Sequence, residues 1–559
     1  MKTPAVLACL CVLGCKTPVT ADVAPDPAAD AGVDVVASDS AAATATDAAT
    51  TTDAADPARA LEAAHVRAAL AENRPEIVKF IVHLHGPFSK DACDGNGLPD
   101  GKTPNAPCLA DLRAGLCASG LTVAFLTDHP THMKDFPFPA LLYHDAAAGD
   151  TLLRDAADQP FANQIHCAKS PELPAHDVTV LVGFEGEHTM PVGMHGHLSQ
   201  KDLYKVGLAD SVTLAEAQTV RDEVHARGGL VVLAHAEQGL ISAQRVRDAV
   251  DVVELYNIHA NVMFSYIAEP ARLFEMDPWL APPAEAAHPD LAIVPALTTV
   301  QEQPIELWHQ VLQVQKVGTA LGSDAHENVQ FPQFCAGGMM DALCEEQKAA
   351  APHAYAAFAK PGNNAITLAD GVRYDNYKRM LRWYSSRARL PISQKQMQER
   401  VLTALQTGHS HHVWNVFGEP DRLDLVAVAK TEFGWKVADI GDSVPLRPDL
   451  LLGIAWPHVV AEPWSPFSSA SADAAPREVR LWRVTADGAA VIATWDGKTT
   501  TGDLRVDDGV AWLRAPGVGR YHLEVRIQPR HLAPALRGGK DFAEKWYRWA
   551  LTDVLEVTP

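Results

Sequence analysis

The sequence predicts an α/β protein in which a sheet built from β/α units precedes a smaller, all-β, sandwich-like domain. Three observations predict it. Seven short apolar runs alternate with helical patterns between about Val78 and Cys344, polar residues of metal-ligating type close most of those runs, and beyond His412 the chain turns to strand-like runs bounded by Gly and Asp.

The N-terminus comes first. Met1-Lys2 is basic, Ala5 to Leu13 is apolar but too short to span a bilayer, and Val12-Leu13-Gly14-Cys15 resembles a bacterial lipobox. Residues 1–15 are therefore expected to be a lipoprotein signal peptide with Cys15 as the lipid attachment point. This predicts a protein of the bacterial cell envelope, lipid-anchored and periplasmic or outer-membrane-facing, that meets a membrane through its anchor only. From Thr17 to Ala58 there is no Lys or Arg and little besides Ala, Asp, Thr, Val, Pro and Ser, so 16–58 is expected to be a disordered tether.

The body is expected to divide into 59–408, the β/α part with a helical extension, and 409–559, the all-β part. The apolar runs are Val78 to Val82, Leu121 to Leu126, Val178 to Phe184, Leu230 to Ala234, Val252 to Leu255, Leu291 to Leu297 and Gly318 to Leu321. One intervening helix starts at the capping-box pattern Thr213-Leu214-Ala215-Glu216 and stops near Gly228-Gly229. From about Asp375 to Thr407 the spacing of Tyr377, Met380, Leu381 and Tyr384 predicts helix. His409, Ser410, His411 and His412 read as a loop between the domains. Val479 to Val484, Ala490 to Thr494, Val510 to Leu513 and Tyr521 to Ile527 read as strands of a small antiparallel sandwich.

With Cys9 and Cys11 lost with the signal and Cys15 lipidated, six cysteines remain, an even number that suggests disulfides in an exported chain. Cys93 with Cys108 and Cys335 with Cys344 are plausible neighbours, although spacing alone does not fix the connectivity. A net charge of -22 argues against a nucleic-acid partner, because phosphate backbones need a positive footprint. A small phosphorylated substrate stays open, provided that bound cations supply the positive charge.

The chemistry lies at the strand ends. His83-Leu84-His85 closes the first run, Asp128-His129 the second, Glu185 the third, His235 the fourth and Asp324-Ala325-His326 the last. One such residue is ordinary for a strand end. Five strand ends carrying imidazole or carboxylate together would crowd charge unfavourably unless cations bound there. In parallel β/α units these ends converge on one face.

The ordered set His-x-His, Thr127-Asp128-His129, Gly183-Phe184-Glu185, His235 and Gly322-Ser323-Asp324-Ala325-His326 resembles the PHP (polymerase and histidinol phosphatase) family of metal-dependent phosphoesterases. The resemblance covers roughly Val78 to Cys344. It implies a distorted (β/α)7, TIM-like barrel and three divalent ions, with zinc, manganese and iron all compatible with mixed imidazole and carboxylate ligands. By position it implies His83, His85, Glu185 and Asp324 on a first metal. Glu185 would bridge to a second, shared with His235 and His197, with His195 as the alternative. His129, His326 and Asp91 would hold a third. The family usually has Ser-Asp-Gly where this chain has Ser89-Lys90-Asp91, and Glu187 is the alternative to Glu185. Asp128 and Glu254 are candidates for orienting ligand imidazoles.

The implied reaction is hydrolysis of a phosphate ester by a water activated between metals, with Glu185 and Asp324 at the reacting centre and His259 or His188 as candidate proton donors. Two other readings compete. An amidohydrolase-like enzyme cleaving C–N or ester bonds also begins with His-x-His, but usually bridges its metals with a carboxylated Lys. A non-catalytic surface module would use its metals structurally.

Overall fold

The computed structural model describes residues 57–298, 302–391, 395–432, 434–514 and 516–559. They fall into two units, Met1–Glu62 and Ala63–Pro559. Of the first unit only the opening of the helix Pro57–Glu72 is described, so the expected signal peptide, Cys15 and the tether up to residue 56 lie outside the described residues. No described helix is long and apolar enough to cross a membrane.

The second unit is mixed α/β. Its strands begin with β1 (Glu76–Leu84), β2 (Val123–Leu126), β3 (Thr151–Arg154), β4 (Pro160–Cys167), β5 (His176–Val182), β6 (Thr189–Val192), β7 (Leu230–Leu233), β8 (Val252–Asn257) and β9 (Gly318–Ala325). A short pair, β10 (Gln330–Phe331) and β11 (Asn364–Ala365), stands apart. Next come β12 (Ser385–Leu390) and β13 (Ser410–Val413), then β14 (Glu419–Pro420), β15 (Leu425–Thr431), β16 (Gly434–Ala438), β17 (Ser443–Pro445), β18 (Leu451–Ala455) and β19 (Val459–Val460). The last are β20 (Arg477–Thr485), β21 (Gly488–Trp495), β22 (Arg505–Asp507), β23 (Val510–Arg514), β24 (Gly519–Ile527), β25 (Tyr547–Thr552) and β26 (Leu555–Thr558).

Parallel pairing links β7 to β8, β8 to β9, β9 to β1, β1 to β2 and β2 to β5. Six of the seven predicted runs are strands in this set. The seventh, Leu291 to Leu297, is not a strand. Its residues turn through two short 3-10 segments, with Val294 N–H bonded to Leu291 C=O and Leu297 N–H to Ile293 C=O. Pro295 offers no N–H to a ladder, and a wholly buried apolar run carries no periodicity to separate strand from helical turn. Strands that sequence reading missed in this region include the antiparallel pair β3 and β4, which adds to β5, and β6, antiparallel to β7 and joined to β5 by the bridge between Val182 and Met194.

The segment 375–407 is not one helix. It forms the helix Tyr377–Trp383, then strand β12, then the helix Met397–Thr407. Tyr384 is already extended at φ -164°, and Ser385 to Leu390 are buried between β1 and β13. Ser-Ser-Arg-Ala-Arg-Leu looks solvated in isolation, but Arg387 is paired with Glu419, and Arg389 with Asp424 and Asp439. Tertiary pairing overrides local preference here.

Ser410 to Val413 are likewise a buried strand, β13, and not the expected loop. β13 pairs with β12 and with β25, so the sheet continues from β1 into the C-terminal strands β25, β24, β20 and β21. A separate antiparallel sheet runs β16-β15-β18-β23-β22. The helix from Leu214 to His225 has the expected capping box, Thr213 and Glu216 each bonding the other's backbone N–H. Three disulfides join Cys93 to Cys108, Cys117 to Cys167 and Cys335 to Cys344.

Candidate metal centre

The C-terminal ends of β1, β2, β5, β7 and β9 bring together eight of the nine residues singled out as ligands. They form an inner group of His83, Glu185, His235 and Asp324 and an outer group of His85, Asp91, His129 and His326. Within each group the ligand-type atoms lie within 4.8 Å of one another. In the inner group His83, Glu185 and Asp324 are buried and the His235 side chain is 19% exposed, whereas in the outer group both Asp91 and His129 are partly open, at 23% and 21%.

Glu185 faces both groups. Its Oε1 lies 3.4 Å from His83 Nε2 and 2.8 Å from His235 Nε2, while its Oε2 lies 3.3 Å from His85 Nε2 and 3.4 Å from His129 Nδ1. Asp324 Oδ1 is 3.3 Å from His83 Nε2, 3.4 Å from His85 Nε2 and 3.3 Å from His326 Nδ1. Asp91 reaches His129 Nε2 at 3.1 Å and His326 Nε2 at 3.5 Å. Ligands bound tetrahedrally at about 2.0–2.1 Å stand about 3.3–3.4 Å apart, so most of these separations suit a shared cation better than direct hydrogen bonds.

Unsatisfied atoms point the same way. The Nε2 atoms of His83, His85 and His326 are buried and have no hydrogen-bond partner. A buried polar atom without a partner is costly, and here two of them face Glu185 and Asp324 while the third, His326 Nε2, faces Asp91, as expected of a place built for a ligand. The backbone is strained there as well. His83, His235 and Asp324 have φ of 58°, 54° and 50°, in the left-handed region that residues with a Cβ seldom adopt.

Electrostatics follow from the crowding. Burial opposes charge on His83 and His235, yet the surrounding carboxylates raise both pKa values well above the usual imidazole value; Glu254, Asp324 and Glu185 act on His83, and Glu185, Glu237 and Asp324 on His235. His85 is carried up to about 9 by Asp324 and Glu185 against the same burial. Glu185 and Asp324 resist burial in turn and are held well below the ordinary carboxylate range, His129 and His83 lowering the first and His83 and His326 the second. His326 goes the other way, down to about 3, because burial and the neighbouring His85 outweigh Asp91 and Asp324. Protons on imidazoles offset the carboxylates in this state, and a divalent cation would take over that task and release them.

Supporting groups hold the ligands. Glu254 Oε1 lies 2.7 Å from His83 Nδ1, Ser89 Oγ lies 3.1 Å from His85 Nδ1 and donates to Asp91 Oδ1, and Glu237 Oε1 lies 3.0 Å from His235 Nδ1. Asn257 Nδ2 donates to Asp324 Oδ2 at 3.1 Å. Tyr377 Oη donates to the carbonyls of His85 and His326. Of the two orienting candidates, Glu254 touches an imidazole. Asp128 instead accepts from Gly86 N–H and Tyr143 Oη, fastening the loop after β1. Ser89, Glu237, Asn257 and Tyr377 escaped sequence reading, but Asn257 ends β8 as the ligands end their strands, and that position was a usable signal.

His197 is not brought to the cluster. Its Nδ1 is 2.8 Å from Tyr204 Oη and its Nε2 2.8 Å from the Phe136 carbonyl, so both nitrogens are engaged elsewhere. The alternative, His195, stacks on Phe161 at 4.1 Å between ring centroids. His259 belongs to neither group, and its ring centre lies 5.6 Å from that of His326. His188 is buried with its Nδ1 unpartnered, and Lys90 is exposed.

No family model matches the chain, and no curated protein matches it. Among solved structures it is similar to PsfC from Pseudomonas syringae PB-5123, at 11% identity over 59% of this chain and 96% of that one, with a TM-score of 0.27. It is also similar to a two-domain protein from Bacteroides vulgatus ATCC 8482 containing a predicted PHP-like metal-dependent phosphoesterase, at 9% identity over 86% and 96%, again with a TM-score of 0.27. Scores that low carry no assignment, which must come from the site.

Proposed function

We propose that this chain is a metal-dependent hydrolase of the PHP type acting on phosphate esters. The observation that carries the reading is the convergence of two partnerless, buried imidazole nitrogens, His83 Nε2 and His85 Nε2, on Glu185 and Asp324 at cation-bridging separations, with a third, His326 Nε2, facing Asp91. We read the sheet that bears them as a distorted barrel. Support comes from the pairings β7-β8-β9-β1-β2-β5 and from β6, which bridges back from β7 toward β5.

The family likeness implies three cations, but the two four-residue groups favour two, because His197 is committed to Tyr204 and Phe136. Zinc, manganese and iron suit the donor set. When bound, the cations would supply Lewis acidity and bring the pKa of water toward neutrality. The protein's own share is positional. Glu185 spans the two groups with one oxygen toward each, Asn257 restrains Asp324, and Glu254 and Ser89 orient the two imidazoles of His83-Leu84-His85. His259, half-buried beside His326, is placed to hold a proton for a leaving alcohol. The carboxylate that spans the two groups is Glu185, where the carboxylated-Lys enzymes use a Lys, which favours phosphate esters over their amide substrates.

The test is turnover of a generic aryl phosphate. Chelation should abolish it and manganese or zinc should restore it, whereas faster turnover of amides or lactones would overturn the substrate class. The lipobox reading of Cys15 belongs to the same proposal, an enzyme held at the bacterial envelope. It predicts labelled palmitate in the wild type and none in Cys15→Ser.

A further inference from the structure

We infer that Glu254 is the positioning residue of the inner group: it fixes His83 in the tautomer that frees Nε2 for a cation and ties His83 to His235. The inference rests on the metal-centre reading above. Glu254 comes from β8 and is 1% exposed. Its Oε1 accepts from His83 Nδ1 at 2.7 Å, and its Oε2 accepts the backbone N–H of His235 at 3.0 Å. One carboxylate thus clamps the ends of β1 and β7, two strands that do not pair with each other.

Both clamped residues sit in left-handed backbone, at φ 58° and 54°. Such a conformation costs about 1–3 kcal/mol per residue and persists only where the surroundings over-determine it. Glu254 is a contact common to the two. With the Nδ1 proton committed to the carboxylate, Nε2 is the nitrogen that would release its proton to a cation. That same atom has no partner and faces Glu185 and Asp324 at 3.4 and 3.3 Å.

Gly322 completes the device. A Cβ at this position would stand 1.6 Å from Glu254 Oε1 and 2.9 Å from His83 Cβ. Its φ is not in the left-handed region, so the glycine that opens Gly322-Ser323-Asp324-Ala325-His326 serves to leave room for Glu254 rather than to make a turn. The outer group has no such carboxylate on its first imidazole, since His85 Nδ1 meets the neutral Ser89 hydroxyl. Together with its greater enclosure, this makes the inner group the tighter cation site.

The experiment is a competition titration of the full chain with zinc against a chromophoric chelator, for wild type, Glu254→Gln, Glu254→Ala and Gly322→Ala, with circular dichroism of the metal-free proteins as the folding check. The wild type should show a tight and a weak class. Glu254→Ala should weaken the tight class about 10- to 100-fold and leave the weak class in place, with Glu254→Gln between them. Gly322→Ala should reproduce the loss although Glu254 is still present, and cobalt in the tight site should change its absorption spectrum. If Glu254→Ala does not fold, Glu254→Gln and Gly322→Ala give the same readout. Wild-type affinity in both classes for all folded variants would overturn the inference. A wild type that binds no zinc would instead overturn the metal-centre reading.

Discussion

Strand β9 carries two buried clusters of His, Asp and hydroxyl groups, one at each end, and they differ in whether their hydrogen bonds close. At its start, Ser386 Oγ donates to His412 Nδ1 at 2.9 Å, His412 Nε2 to Thr319 Oγ1 at 2.7 Å, and Thr319 Oγ1 to Asp553 Oδ1 at 2.5 Å. Ser410 Oγ completes Asp553, and Leu321 N–H completes Ser386. Each donor there meets an acceptor, and the cluster ties β9 and β12 to β13 and the turn before β26. At the other end, Asp324 and its neighbours leave three imidazole nitrogens unanswered. Composition is similar at the two ends. A closed polar network holds a fold together, while an open one of the same residue types awaits a ligand.

The contrast can be broken most severely at the open end. Replacing His83 and Asp324 together by Ala should lower bound metal and aryl-phosphate turnover by more than about 100-fold, because loss of a mere supporting group already costs about 10- to 100-fold. The metal-free variant should keep its circular dichroism spectrum. Metal content by elemental analysis checks the first claim, and full retention would break the contrast.

The closed end should respond the other way. Thr319→Val leaves His412 and Asp553 without their shared partner, at about 1–3 kcal/mol for each orphaned group. Denaturant unfolding should show the loss, while metal content per folded chain stays unchanged. A fall in metal content at constant stability would contradict the division of labour.

The pH dependence sharpens the same comparison. Burial raises the Asp553 carboxyl to about 7, with Ser410 and Thr319 only partly offsetting it. Between about pH 4, where an unfolded Asp ionises, and pH 7, the native state keeps a proton that the unfolded chain has released. Native protein therefore binds more protons in that window, and this group's contribution falls as pH rises through it. Asp553→Asn should flatten that part of a stability profile measured on metal-free protein.

The smallest effect belongs to His197. His197→Gln should leave metal content unchanged and cost little stability beyond its bonds to Tyr204 and Phe136. Loss of one cation would restore the three-metal assignment.

Much of the site was legible because strand direction and residue type are both local. An imidazole or carboxylate at the end of a parallel strand needs no tertiary knowledge to be placed at the common face, and seven of the eight gathered residues follow from that rule, whereas Asp91, in the loop after β1, follows only from the family resemblance. His197 failed because a Gly-His motif does not say where its loop goes; the loop carries it to Tyr204. Leu291 to Leu297 failed because uniform burial erases periodicity, and only Pro295 hinted at the turn. β12 and β13 failed for a physical reason that the sequence hides. Arg387, Arg389 and His412 are buried there only because Glu419, Asp424, Asp439 and Thr319 arrive from distant segments to meet them.

Anomalous diffraction from crystals of the protein grown with manganese or zinc tests the central claim most directly. Two peaks are expected, one among His83, Glu185, His235 and Asp324 and one among His85, Asp91, His129 and His326, each at about 2.0–2.2 Å from its ligand atoms. Density without a peak in either group, at saturating metal, would contradict the account.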